Sequence, residues 1–237
     1  MTQMYYRQSP VSQLGRATLY LLIANIAVFG LYIFAPALVG GWLSLIPNRL
    51  LFRGELWRLG SYLFIHGDFS HLLFNMLGLF FFGPVMERVL GYRRFWIFYF
   101  LCGCGSGLVA ALFYFSLGNG DAVIIGASGA IFGIITGYGV LFPNSTIYWN
   151  FFLPIKAKWL VLIYGVLQLF ATLQYAGGAR SGIASIAHLS GIIIAYFYLR
   201  GISDLRRLVL KYKYWRAERE RQRRFKVYSG KDGQTYH

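Results

Sequence analysis

Six apolar runs near membrane-crossing length constrain this 237-residue chain more than any other feature. They cover residues 17–35, 71–86, 95–115, 128–142, 158–175 and 183–199. A helix needs about 20 residues to cross a ~30 Å hydrocarbon core at ~1.5 Å per residue. Charged residues, Pro, Gly or Asn separate the runs. None alternates polar and apolar positions as barrel strands do, so all six are predicted to be helices. Composition agrees: 57% of residues are hydrophobic and 13% charged, against about 25% charged in soluble domains. A soluble, disordered or collagen-like chain is excluded. Only two cysteines are present, which excludes a secreted disulfide scaffold. Cys102 and Cys104 lie two apart in the third run, do not share a helix face, and read as small packing residues. The expected fold class is an all-α membrane protein, a bundle of six transmembrane helices. Residues 17–35 lack a persuasive cleavage site and read as the first anchor, not a leader.

Six spans place both termini on one side, and the basic residues choose the side. Of the 23 Lys and Arg, 19 fall in the N-terminus, the second and fourth connections and the C-terminal tail. The other connections hold four. The first set is therefore expected in the cytoplasm. The division is a short cytoplasmic N-terminus (1–16), a six-span domain (17–200) and a basic cytoplasmic tail (201–237). The tail run Arg216-Ala-Glu-Arg-Glu-Arg-Gln-Arg-Arg224 could suit nucleic acid, but a juxtamembrane position favours topology control and contact with anionic lipid. Residues 36–70 are rich in Leu, Trp and Phe, which suits a segment lying in the membrane interface rather than a solvated loop. No internal repeat is visible.

Polar groups inside a span are costly, so each is a functional candidate. Counting from the cytoplasmic end of its run, His71 lies about 24 Å in, Asn75 about 18 Å, Ser128 about 22 Å and His188 about 18 Å. All four share one layer below the outer surface. A serine hydroxyl becomes a nucleophile when a base takes its proton, and histidine suits that task near neutral pH. His71 and Asn75, four apart, share a helix face and could donate to an oxyanion, as could the backbone N–H of Ser128 at a helix start. No acidic residue lies in this layer, so a Ser–His dyad is expected rather than a triad. Small residues recur every four positions at Gly129, Gly133 and Gly137 and at Ala187, Gly191 and Ala195. Such stripes let helices approach closely, and packing them together would bring Ser128 to His188.

These residues resemble the rhomboid intramembrane serine proteases. The resemblance rests on Gly126-Ala-Ser128-Gly-Ala-Ile-Phe-Gly133, Ala187-His188-Leu-Ser-Gly191 and His66-Gly-Asp-Phe-Ser-His71-Leu-Leu-Phe-Asn75. It also includes Glu55-Leu-Trp57-Arg58 and Gly83-Pro-Val-Met-Glu87. The resemblance implies Ser128 as nucleophile and His188 as general base. His71, Asn75 and the Ser128 N–H would form the oxyanion hole, and Gly126 would let the loop approach the reacting carbonyl. Trp57 and Arg58 would structure the first loop, with Glu55 as an ion-pair partner for an arginine there. Phe132 stands where some bacterial members carry a tyrosine that stacks on the histidine; it keeps the stacking and loses the hydroxyl. The family cuts membrane segments of single-pass proteins and uses no metal or cofactor. The fifth span and residues 176–182 resemble its mobile side gate and cap. The minimal six-span form and a bacterial inner membrane are implied, with single-pass proteins and lipids, not nucleic acid, as partners.

Other readings are weaker. His66 falls in a loop and is expected to make local hydrogen bonds. His66, His71 and His188 do not form a zinc motif. Asp121, the acid nearest Ser128, is expected to face water. A transporter would spread polar residues along a path, whereas here they cluster at one depth. A catalytically silent relative that escorts membrane proteins would usually lack the serine or the histidine.

Overall fold

In a computed structural model of the protein, the described residues are 14–149, 153–176, 184–201, 205–224, 228–229 and 235–236. The segment 176–182, expected to act as a cap, lies outside them apart from Ala176. The chain forms two units, Met1–Gly201 and Ile202–His237.

The first unit is a helical bundle. Helix α1 is Arg16–Phe34. Three short helices follow, α2 (Pro36–Leu43), α3 (Pro47–Arg53) and α4 (Arg58–Ser61), with a single tight turn at Tyr62–Phe64. Then come α5 (Phe69–Leu90), α6 (Tyr92–Ser116), α7 (Ser128–Leu141), α8 (Ala157–Ala176) and α9 (Ser185–Gly201). Strands β1 (Thr146–Trp149) and β2 (Leu153–Lys156) form an antiparallel hairpin between α7 and α8, pairing Thr146 with Lys156 and Ile147 with Ile155. The second unit contains α10 (Leu205–Arg224) and the strand pair Tyr228–Ser229 with Thr235–Tyr236. On α10, Arg216 pairs with Glu220 at 3.0 Å and the Arg219 guanidinium lies 4.5 Å over the Trp215 ring.

Among the described residues, four helices are long and apolar enough to cross a membrane: α1, α5, α6 and α8. The expected count was six. The other two, α7 with 14 residues and α9 with 17, reach only about 21 and 26 Å. Their apolar runs, 128–142 and 183–199, are just as short in the sequence. α7 starts only at Ser128 and stops before Pro143. It packs against α5, α6, α8 and α9, so it forms the centre of the bundle. The loop leading to it is exposed at Asp121 and Val123 and buried at Ile124, Gly126 and Ala127.

A buried loop must pair its backbone groups. Leu45 and Ile124 exchange N–H···O bonds of 3.0 and 2.9 Å, the Asn48 amide donates to Gly120 O at 2.8 Å, and Gly126 N–H donates to Tyr62 O at 2.9 Å. The first loop thereby holds the approach to Ser128. That loop is itself fastened by Arg58, which is 1% exposed, donates to the carbonyls of Ser44 and Gly41, and pairs with Glu55. Trp57 donates to Trp42 O at 3.2 Å and stacks on the Trp42 ring. Both rings stay largely exposed, as do Leu38 and Phe52.

Glu87 has a part that its place at a span end did not suggest. It is buried, and its carboxylate accepts from Ala17 N–H at 3.0 Å, Thr18 N–H at 2.9 Å and the Thr18 hydroxyl at 2.8 Å. It satisfies free donors at the start of α1 and sits at the positive end of that helix. Glu87→Ala strands these donors, and loss of about 3 kcal/mol of stability is expected. The check is thermal unfolding in detergent against a Glu87→Gln variant, which keeps one acceptor and should fall between.

Candidate active site

Ser128 is the first residue of α7, and His188 lies in the first turn of α9. The small-residue seam joins them. A Cβ placed on Gly191 would stand 2.1 Å from Gly129 O, and one on Gly129 would stand 3.4 Å from Ala187 O. Only small residues allow the two backbones to meet this closely. At this seam His188 Nε2 lies 2.6 Å from Ser128 Oγ. The other ring nitrogen, Nδ1, lies 3.1 Å from Gln168 Oε1 on α8. An amide oxygen only accepts, so Nδ1 carries the proton in this arrangement. Nε2 then presents its lone pair, and the Ser128 hydroxyl donates to it.

Phe132, one turn beyond Ser128, stacks on the imidazole with ring centres 4.4 Å apart and planes 18° apart. Tyr164 of α8 meets Phe132 edge-on at 5.5 Å. The histidine is thus held on one face and at both nitrogens.

Opposite stands the start of α5. Asp68 caps this helix by accepting from His71 N–H at 2.8 Å and from the Ser70 hydroxyl. The Ser70 hydroxyl and the His71 amide hold the Asp68 carboxyl below its ordinary range. The cap fixes the turn that carries His71. Asn75, one turn on, donates through Nδ2 to His71 O at 3.0 Å, leaving its second amide hydrogen free to serve elsewhere. Gly126 has φ +108°, and a Cβ there would lie 2.6 Å from His71 Nε2. Glycine is required both for the backbone angle and for the room the imidazole takes. His66 is fully buried beneath His71, ring edge to ring face at 4.9 Å. Its ring nitrogens make no hydrogen bond of ordinary geometry among the described residues, and the Phe64 backbone is the local polar group that acts on it. Burial, with His71 beside it, pushes its pKa down to about 4, which keeps it neutral.

A cavity of about 900 Å³ opens beside these groups. Its lining includes Ser128, His188, His71 and Asn75, extends along α7 to Tyr138, and reaches the hairpin at Thr146–Tyr148. α5 and α8 form its sides through residues such as Phe74, Phe81, Leu160 and Tyr164. The four polar residues expected in one layer therefore meet at one cavity. Trp57, Arg58 and Glu55 lie in the first loop and serve its architecture, and Gly191 belongs to the seam. Asp121 is exposed and accepts from the Asn48 amide at 3.0 Å. The cysteines are free, and Cys102 fills the space over Gly133.

Gln168 escaped the sequence reading, which searched the layer for acids and histidines. A signal existed. Tyr164, Gln168 and Thr172 recur every four residues within a mostly apolar span, and the structure turns Tyr164 and Gln168 onto the Phe132–His188 stack.

Comparison with known proteins gives a family. A family model described as Rhomboid domain matches residues 53–204. The chain is similar to RHOMBOID-like protein 4 of Arabidopsis thaliana, 36% identical over 182 residues, covering 74% of this chain and 41% of that protein. It is similar to the putative rhomboid protease YdcA of Bacillus subtilis (strain 168), 42% identical over 97 residues, 40% of this chain and 47% of that protein. It is also similar to rhomboid protease AarA of Providencia stuartii, 30% identical over 194 residues, 75% of this chain and 69% of that protein. The chain spans less than half the length of several curated relatives it matches.

Proposed function

The chain belongs to the rhomboid family, and from that premise we propose that it is an intramembrane serine endopeptidase working through Ser128 and His188. One observation carries the reading: the 2.6 Å contact from His188 Nε2 to Ser128 Oγ at the wall of an apolar cavity. It is an integral, multi-pass membrane protein, and its relatives include proteins named as rhomboid proteases.

The chemistry follows from the atoms. His188 Nε2 takes the hydroxyl proton as Ser128 Oγ bonds to a substrate carbonyl carbon. The carbonyl oxygen becomes an anion, for which the Ser128 N–H, the Asn75 amide and the His71 ring are the nearby donors. The peptide C–N bond then breaks, and His188 returns the proton to the leaving amine. A water molecule repeats the sequence on the acyl-enzyme and restores the hydroxyl.

The substrates we propose are membrane segments of single-pass proteins, entering between α5 and α8. A helical substrate must unwind to expose its carbonyl, and unpaired backbone is costly in an apolar setting. The membrane we propose is a bacterial inner membrane with both termini cytoplasmic; the excess of 19 basic residues over four on the two sides supports that orientation.

The test is cleavage of a panel of single-pass substrates by the purified chain in liposomes. Fragments released from the membrane segment, and faster cutting when Gly or Pro flanks the site, are expected. Stable binding without cleavage by the folded wild-type chain would instead make it an escort for membrane proteins.

A further inference from the structure

We infer that Gln168 is a positioning residue for the general base: it accepts from His188 Nδ1–H and so holds the imidazole in the tautomer whose Nε2 can take the serine proton. The inference deepens the peptidase reading and rests on it.

Gln168 lies on α8, whose neighbouring side chains Val166, Leu167, Leu169 and Phe170 are exposed and apolar. A primary amide in such a helix is costly unless it finds a partner. Its oxygen has one, 3.1 Å away at His188 Nδ1. A neutral imidazole carries a single proton. With that proton on Nε2, the nitrogen facing Ser128 would be a donor and could not act as base. With it on Nδ1, Nε2 is the base. An acceptor at Nδ1 therefore selects the active form, the task an acid performs in a three-residue site. Gln168 performs it without charge.

A second contact strengthens the assignment. Tyr164, one turn before Gln168, braces Phe132 at 5.5 Å, and Phe132 stacks on the same imidazole. One face of α8 therefore reaches the base directly through Gln168 and, by way of Phe132, through Tyr164. Yet α8 is the least buried of the four helices long and apolar enough to cross a membrane, with only Ala157, Leu160 and Thr172 buried. Docking of α8 and readiness of the base are consequently linked through the Nδ1 bond.

The experiment compares wild type, Gln168→Leu and Gln168→Glu, each confirmed as folded by thermal unfolding, in two measurements. In cleavage assays, Gln168→Leu should lower kcat by about tenfold, the worth of one hydrogen bond, with KM held. Gln168→Glu keeps an acceptor and should stay within about threefold of wild type, well inside one hydrogen bond's worth. In nitrogen NMR of histidine-labelled protein, with four histidines to assign, His188 should show the Nδ1–H tautomer in wild type and a shift toward Nε2–H in Gln168→Leu. Wild-type kcat in Gln168→Leu, an unchanged tautomer, or an equal loss in Gln168→Glu would overturn the assignment. If wild type cleaves nothing, the peptidase reading has failed, and the NMR measurement alone still decides whether Gln168 sets the tautomer.

Discussion

Ser128→Ala is expected to lower kcat by about 10⁴- to 10⁶-fold while the bundle stays folded. The hydroxyl is small, faces the cavity, and has His188 Nε2 as its close partner at 2.6 Å. Removing it leaves no void in the core and no stranded acceptor, because Nε2 can accept from water in the cavity. Phe132 and Gln168 still hold the ring. The substrate cavity is unchanged, so binding should persist while cleavage stops. Separate measurement of substrate affinity and fragment release checks this. Release within about a hundredfold of wild type would mean that another group supplies the nucleophile, since loss of an essential nucleophile costs far more.

Gly191→Ala is expected to cause the next largest loss, through geometry alone. The added Cβ would stand 2.1 Å from Gly129 O, 2.9 Å from Gly129 C and 3.2 Å from Ser106 Oγ. Two of these atoms are backbone of the residue that follows Ser128, so side-chain rotation cannot relieve the clash. α7 and α9 must separate, and the serine moves away from the histidine. A displacement of about 1 Å at reacting groups costs on the order of a hundredfold in rate, and overpacking a core costs about 1–3 kcal/mol. Gly165→Ala on α8 is the control, because a Cβ there meets nothing within 4 Å. It should fold and cleave like wild type. Equal behaviour of the two variants would remove the seam from the account.

The sequence carried most of this site because membrane burial makes polar residues conspicuous. Ser128, His188, His71 and Asn75 stood out as costly groups at one depth, and they line one cavity. The small-residue stripes are the surface on which α7 and α9 meet. The six runs also located the helices closely: residues 158–175 against α8 at Ala157–Ala176, for example.

Other features stayed hidden for physical reasons. The run 128–142 matches α7 at Ser128–Leu141, but composition gave no sign that the loop before it pairs with the first loop through Leu45 and Ile124. The β1–β2 hairpin is a short pairing of four residues with four, at the lower limit at which alternation is informative. Glu87 looked like the polar end of a span, yet its partners at Ala17 and Thr18 are about 70 residues away in sequence. Gln168 carries no charge and leaves no mark in a search for acids. Its meaning comes only from the atom it faces.

The most direct measurement is the mass of the purified chain after reaction with a fluorophosphonate, followed by mapping of the modified peptide. A phosphonyl group on Ser128, absent in Ser128→Ala and greatly slowed in His188→Ala, is the predicted result. A folded wild-type chain whose Ser128 stays unmodified would contradict the claim that His188 activates this serine.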